Sequence, residues 1–458
     1  MEWPSESSRF KSHDLTLFKY EERPTTVVTL RLDDVSESQE LLTEMLLTSE
    51  MEWNTWLKSV DLDSSDDKMI TLNLVLFRRA SMKFSECLPG IHYVPVSNST
   101  FQKVTDSFQT HRSLSRMINR KDAEFLHCVE VDHDCEPHRL VYNYRTSADY
   151  VDDLAVSVTH EPRHRSTTAI FFGLSEAQER LLLYRMKESP KDFCHPLAMI
   201  GAACELDRDR WIAKEVRPIE RTYVEKNDQW STTSSENLAA DPEGETMEDT
   251  LGLRFKSSFL LTGLTAARRQ LARIGDHLGE IRRDPVMASF LEGPGSCPDK
   301  ETEAGGSGIN LGKQQAHTAG RLQHRLDQIA DEFDMKIDSC KSSMEDMMAT
   351  TQVVISRIAR HDTQTNTAIS VATREDSSQM RSIAFVTMVF LPVTSIATIF
   401  SMNVFDWQAK DGGHLITVHF WLYLAVAGAS TALTVGLWVF YTRVRKGLSF
   451  RKDEEVGV

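Results

Sequence analysis

The chain opens without an apolar leader: Met1 to Leu15 is polar and lacks the hydrophobic core of a signal peptide. Any membrane insertion is therefore expected to depend on later segments. Cysteine is sparse, with 7 residues at Cys87, Cys128, Cys135, Cys194, Cys204, Cys297 and Cys340. Their odd number and scattered spacing form no disulfide framework and favour reduced thiols in a cytosol-like compartment. Positive charge is also short. With 52 Lys and Arg against 67 Asp and Glu the net charge is −15, which argues against nucleic acid as a partner. The sequence has no Gly-rich loop to cradle a phosphate and no nucleophile–base set, so no enzyme is expected.

Two strings imitate metal chemistry and are set aside. His160-Glu161-Pro162-Arg163-His164 has the HExxH spacing, which needs an unbroken helix to put both imidazoles on one face. Pro162 removes a backbone donor and biases Glu161 away from helix, and the preceding Leu154–Val158 reads as strand. His127, Cys128, His133, Cys135 and His138 cluster at spacings that match no zinc template and read as a polar turn leading into a strand. Asn98-Ser99-Thr100 is a glycosylation sequon by pattern only.

What the chain does have is two apolar runs near its C-terminus, Ile383 to Phe400 and Val418 to Tyr441. At roughly 1.5 Å per helical residue, each is long enough to cross a bilayer core. Arg374 and Arg381 precede the first run, and Arg443, Arg445, Lys446, Arg451 and Lys452 follow the second. The connection between them holds only Lys410, beside Asp406 and Asp411. The positive-inside rule then predicts a multi-pass protein in a lipid bilayer with both termini cytoplasmic, or on a matrix side.

Ahead of these runs the pattern predicts a polar tail (1–24), a cytosolic α/β domain (25–225), an acidic disordered loop (226–250) and a cytosolic helix (251–292). A flexible linker (293–313) leads to a long stalk helix (314–381), a first transmembrane helix (382–403), an outer loop (404–417), a second transmembrane helix (418–441) and a tail (442–458). In the domain, Thr25–Leu32, Met69–Phe77, Leu140–Tyr144, Leu154–Val158 and Thr168–Phe172 read as strands. Ser36–Val60, Ser99–Asn119, Ser175–Ser189 and His195–Val216 read as helices, with Ser36 and Ser175 as N-caps and Pro196 in a first turn. Pro285 is expected to break or kink the helix that precedes the linker.

No proline interrupts Gly320 to Val389, so stalk and first span read as one helix on the order of 100 Å long. Leu322, Leu326, Ile329, Phe333, Ile337, Cys340, Met344, Met347, Thr351, Val354 and Ile358 form a seam at spacings of three and four. Extended, the seam turns polar through Asp362 and Thr365. Two readings stay open: a helix packed within its own subunit, or a bundle about a symmetry axis.

The first span is less apolar than an anchor requires. Thr387, Pro392, Thr394, Ser395, Thr398, Ser401 and Asn403 bring hydroxyls, a helix breaker and an amide into it. Ordinary helix–helix packing is one explanation. The other is a ring of Asn amides that selects a hydrated divalent ion without stripping its water, which suits the slow dehydration of Mg²⁺.

Ser401-Met402-Asn403, preceded by Phe390-Leu391-Pro392-Val393-Thr394 in a Pro-containing span before a short loop, resembles the CorA group of divalent-cation channels. The family signature is Gly-Met-Asn; the Ser-Met-Asn form is similar to divergent CorA-like proteins of filamentous fungi. The resemblance implies a homopentamer whose first span lines a pore. Asn403 would coordinate the hydrated ion at the entrance, with Met402 in support. A pore-facing Thr would correspond to Thr394, and apolar constrictions would fall near Leu391, Ile383 and Met380. The transported ion, itself a candidate regulator, would be Mg²⁺, with Zn²⁺, Ni²⁺ and Co²⁺ as alternatives, and no cofactor is expected. Ser401 departs from the family Gly. The family's acidic loop pattern is not recognisable, although Asp406 and Asp411 would concentrate cations electrostatically, and Asp362 and Asp376 are candidates for a gating carboxylate by proximity alone. The competing expectation is a non-conducting, membrane-tethered binding or signalling protein on the same scaffold.

Overall fold

The computed structural model describes residues 9–33, 40–63, 69–80, 90–131, 137–232, 245–283, 308–401 and 418–455. Two compact units emerge, residues 1–352 and 353–458.

The first unit is built on a seven-stranded sheet in the order β3-β2-β4-β9-β8-β7-β6. Its strands are β2 (Thr25–Asp33), β3 (Glu40–Leu47), β4 (Met69–Arg78), β6 (Glu124–Val131), β7 (Pro137–Arg145), β8 (Ala155–Glu161) and β9 (Ser166–Leu174). All neighbours are antiparallel except β4 and β9, which run parallel at the centre. Met-Ile-Thr-Leu-Asn-Leu-Val-Leu-Phe-Arg of β4 is buried along its whole interior, because the sheet is covered on both faces and a centre strand then needs no polar side.

Alternate residues feed two cores. On one face Val27, Val75, Phe77, Ile170 and Phe172 meet the helices α2 (Glu50–Asp63), α3 (Asn98–Ser107) and α4 (Ser113–Asn119). On the other, Val28, Leu74, Val156 and Phe171 meet α5 (Glu176–Glu188), α6 (Ala198–Arg210), α8 (Glu245–Arg283) and the first half of α9 (Gly308–Ser401). Buried Asn73, on the α2 side of β4, is held in a short polar chain. Trp56 Nε1 donates to Thr29 Oγ1 (3.2 Å), and Thr29 donates to Asn73 Oδ1 (3.0 Å).

Several local readings change in three dimensions. Residues 40–47, expected as helix, form edge strand β3, where register with β2 overrides helix propensity. The helix there starts only after Ser49, whose hydroxyl accepts from Glu52 N (3.3 Å) while Glu52 Oε2 accepts from Ser49 N (3.2 Å). The proposed cap Ser36 lies outside the described residues. The expected helix Ser99–Asn119 is two helices, separated at Gln109, which takes a φ of 48°. Strand β6 was not foreseen. Ser175 caps α5 through Gln178 N (3.3 Å), as its spacing suggests, but Pro196 sits in the turn ahead of α6 rather than in its first turn.

The stretch 1–24 is not all tail: α1 (Ser12–Leu15) and β1 (Lys19–Tyr20), which pairs with β5 (Tyr93–Val94), bury Leu15 and Phe18 against Phe101 and Phe172. Helix takes up both ends of the expected acidic loop, residues 226–232 and 245–250, and residues 233–244 lie outside the described residues. A π-helical segment at Trp211–Val216 runs into α7 (Arg217–Thr232), and α8 starts at Glu245. α9 begins at Gly308, inside the expected linker; Pro285 lies outside the described residues.

The seam of α9 packs within its own chain over its first half. Leu326, Ile329, Phe333 and Ile337 are buried in one core with Leu264, Leu271, Ile274 and Leu278 of α8, and Met347 further along is also buried. Ion pairs rim this contact: Arg208–Glu332 (2.7 Å), Arg268–Asp334 (2.9 Å) and Lys336–Glu220 (2.9 Å). Under α8, Tyr150 and Trp211 meet with ring centroids 4.4 Å apart and planes tilted by 56°, and Tyr150 OH donates to the Phe259 carbonyl (2.6 Å). Gly263 lies against both rings, where a Cβ would collide with the Tyr150 hydroxyl and the Trp211 indole.

Two outcomes follow for stability. Gly263→Ala is expected to destabilise the first unit by about 1–3 kcal/mol, the usual cost of forcing atoms into a filled site, measurable as a lower urea midpoint at unchanged m-value. Acid is expected to weaken it through His160 and His195. Burial pushes His160 down to about 3, with His195 adding to the shift, and pushes His195 down to about 4. The unfolded chain takes these protons near pH ~6.5 and the folded chain only well below it, so stability falls as pH drops from about 6.5 to about 4. The slope is about 1.4 kcal/mol per pH unit for each ring, and a His160→Asn variant should lose one ring's share in a urea series across pH.

Candidate functional site

The second unit holds the apolar part of α9 and helix α10 (Val418–Glu455). The most apolar 18-residue window of α9 has a mean hydropathy of 2.0 and none of it is buried; that of α10, within Trp421–Tyr441, has 1.7 with 6% buried. A soluble core helix buries such a surface, and here it is bare on helices long enough to span hydrocarbon. The chain is a membrane protein with two candidate spanning helices.

α9 continues without interruption through Pro392 to Ser401. Pro392 cannot donate to the carbonyl one turn earlier, which is tolerated where neighbouring groups satisfy the freed oxygen. Hydroxyls bond to the backbone on both sides of it. Thr387 Oγ1 donates to the Ile383 and Ala384 carbonyls (3.0 and 2.9 Å), and Thr394 Oγ1 to those of Phe390 and Leu391 (2.9 and 3.1 Å). Thr398 Oγ1 donates to the Thr394 carbonyl (2.8 Å). With the proton committed to the helix, each hydroxyl oxygen has only lone pairs left to offer. That is the polarity a cation, or the protons of its bound water, requires.

Spacings of three and four place Met380, Ile383, Thr387, Leu391, Thr394, Thr398 and Ser401 along one face of α9. Met380, Ile383 and Leu391 are 72%, 66% and 65% exposed. The opposite face carries the partly buried Met388, Val389, Pro392, Val393 and Ile396. On that side Phe385 meets Trp438 of α10, ring centroids 6.2 Å apart. The buried side of α10 is lined by small residues, Ala427, Ser430, Thr431 and Thr434, which let helices approach closely. The stripe therefore looks away from the α10 contact.

The structure brings together four of the expected pore residues, Met380, Ile383, Leu391 and Thr394, and sets Ser401 on the same face at the last described turn of α9. Met402, Asn403, Asp406 and Asp411 lie outside the described residues. Asp376 and Asp362 continue the face toward the N-terminus by the same count and are exposed. Thr387 and Thr398 belong to the stripe as fully as Thr394 and were not singled out as pore-lining; their spacing of seven and four from Thr394 was the available signal.

Elsewhere, the HExxH string is split between β8 and a 3-10 turn at Pro162–His164, with His160 buried and its Nδ1 2.9 Å from Thr167 Oγ1. No group of metal-capable side chains forms among the described residues, and His133 and Cys135 lie outside them.

No protein-family model matches the chain. A 61-residue stretch is 44% identical to Notoamide biosynthesis cluster protein M' of Aspergillus versicolor, covering 13% of this chain and 13% of that protein. Among solved structures, the full-length CmaX protein aligns over 93% of this chain and 99% of its own at 12% identity and a TM-score of 0.40. The soluble domain of CorA from Methanocaldococcus jannaschii aligns over 71% of this chain and 97% of its own at 12% identity and a TM-score of 0.33. At scores this low neither likeness carries a residue role, a ligand or an assembly state across to this chain. The order of parts observed, an α/β domain, a long helix and a second apolar helix, is the order expected from the sequence.

Single cysteines introduced into a background without native thiols test the two faces of α9. Thr387→Cys, Leu391→Cys and Thr394→Cys should react with a small, charged thiol reagent in the assembled protein, and Val389→Cys and Val393→Cys should be protected. Equal labelling of both sets would mean that the stripe lines no aqueous path.

Proposed function

We propose that this chain is a divalent-cation channel or transporter of the CorA type, from the divergent filamentous-fungal branch, with Mg²⁺ as its leading ion and Zn²⁺, Ni²⁺ and Co²⁺ as alternatives. The observation that carries the reading is the exposed stripe of α9. It mixes acceptor hydroxyls with apolar side chains, faces away from α10 and leads directly to Ser401-Met402-Asn403. One helix cannot enclose an ion, so the reading requires several copies arranged about an axis, and the family resemblance implies five.

In such a ring the stripe lines the pore and α10 forms the outer layer toward lipid. Mg²⁺ enters with its water shell held by the Asn403 amide oxygens, at little dehydration cost. The back-bonded Thr394 and Thr398 oxygens accept from the ion's waters further in, and Leu391, Ile383 and Met380 supply apolar constrictions. Asp406 and Asp411 concentrate cations at the mouth. Both termini lie on the cytoplasmic or matrix side, where Asp362 and Asp376 are the carboxylates offered to a regulatory ion.

The test is Mg²⁺ influx into dye-loaded liposomes containing the purified full-length chain, beside an Asn403→Ala variant that keeps the oligomeric state. Flux in the parent should fall in the variant by on the order of tenfold or more, the change produced when about 1.4 kcal/mol of ion stabilisation is removed. An intact oligomer that passes none of the four ions would instead support the non-conducting tether, to which Ser401, a side chain where the family has Gly, lends some weight.

A further inference from the structure

Helix α8 is fastened to the outer strand of the sheet by two histidines. His277 of α8 lies face to face with His127 of β6, ring centroids 3.7 Å apart and planes 22° apart. Phe125 and Tyr142 flank the same ring at 6.2 and 5.6 Å. His277 is 5% exposed, and neither of its ring nitrogens has a hydrogen-bond partner among the described residues. His127 is open to solvent on its outer side.

One carboxylate opposes the cost of burial. From α8, a Glu280 oxygen stands 3.6 Å from His277 Nδ1 and favours the charged form of both rings, but Glu280 is 69% exposed and so screened by solvent, and Arg273 adds a positive charge near His127. β7 contributes the buried Tyr142 hydroxyl, itself without a partner among the described residues, and Cys128 of β6 lies near that hydroxyl. α9 brings Gln323 up to Gly275, and its Asp327 is engaged by the Gln323 amide at 3.0 Å. Burial, with His127 adding to it, holds His277 down at about 4, and His127 is also lowered, mainly by burial.

We propose that the His127–His277 stack is an acid-sensitive latch, which closes the C-terminal turns of α8 on β6 while both rings are neutral and releases them when the buried His277 takes a proton, a second proton on His127 adding to the release. A second tie bounds the motion: Phe125 N donates to Gln270 Oε1 (3.0 Å), and this bond does not titrate in that range. Release is therefore confined to residues 274–283 and the facing part of β6. Because Ile274 and Leu278 share a core with α9, acidity at the latch alters the support of the long helix. This inference stands independently of any transport activity.

Hydrogen exchange of the full-length protein at pH 7.5 and 5.0, corrected for intrinsic exchange, tests it. An opened ring titrating near pH ~6.5 and a closed one near 4 make local opening about 30-fold more favourable at pH 5 through His277 alone. Peptides covering 124–131 and 274–283 should lose protection by about that factor, while β4 and β9 keep theirs. His277→Phe, which retains the ring packing but cannot titrate, should remove most of the response, and His127→Phe a smaller part of it. An unchanged response in both variants overturns the latch. So does acid-induced exchange that speeds up β4 and β9 equally, since that is global unfolding driven by His160 and His195.

Discussion

The apolar seam between α8 and the first half of α9 is the contact on which the rest of the molecule depends. Phe333, Ile329 and Leu326 are buried against Leu264, Leu271 and Leu278, in the same core as the inner residues of the sheet. Each such side chain contributes about 1.5–3 kcal/mol on burial, so the long helix is anchored by packing and not by its own propensity. The ion pairs around the seam are partly exposed and fix the rotation of α9 more than they hold it in place.

That contact ends near Met347, and a different kind of helix begins. From Ile355 to Thr387 the side chains of α9 are exposed on every side, apolar Ile355, Ile358 and Ile369 included. Thr363, Thr365, Thr367 and Thr373 each bond to a carbonyl of the preceding turn. Such a surface has little reason to stay helical alone in water. The same economy of hydroxyls recurs at Thr387, Thr394 and Thr398, where each oxygen is left as an acceptor.

Parts of this were legible in one dimension. β4 and β9 show as apolar, β-branched runs, and Ser175 with Gln178 marks the start of α5. β3 was hidden because Glu-Leu-Leu-Thr-Glu-Met-Leu-Leu is built from good helix formers, and only hydrogen bonding along β2 makes it a strand. β6 alternates weakly, with His127 and Glu130 among its residues, so its partner β7 decides it. The face of α9 that carries Thr394 was readable from spacing. That this face looks away from α10 was not, because it depends on which side Trp438 occupies.

By itself, the sequence determined the order of parts. Periodicity and run length are local properties, and they specify a mixed α/β domain, a long helix without proline from Gly320 to Val389 and two apolar runs at the C-terminus. Tertiary structure alone decided where α9 stops serving as domain core and which of its faces remains uncovered. It also decided that His277 meets His127 and that Gly263 admits two aromatic rings. Each of these is a meeting of residues far apart in the chain, selected by packing against a common sheet, and no local pattern encodes such a meeting.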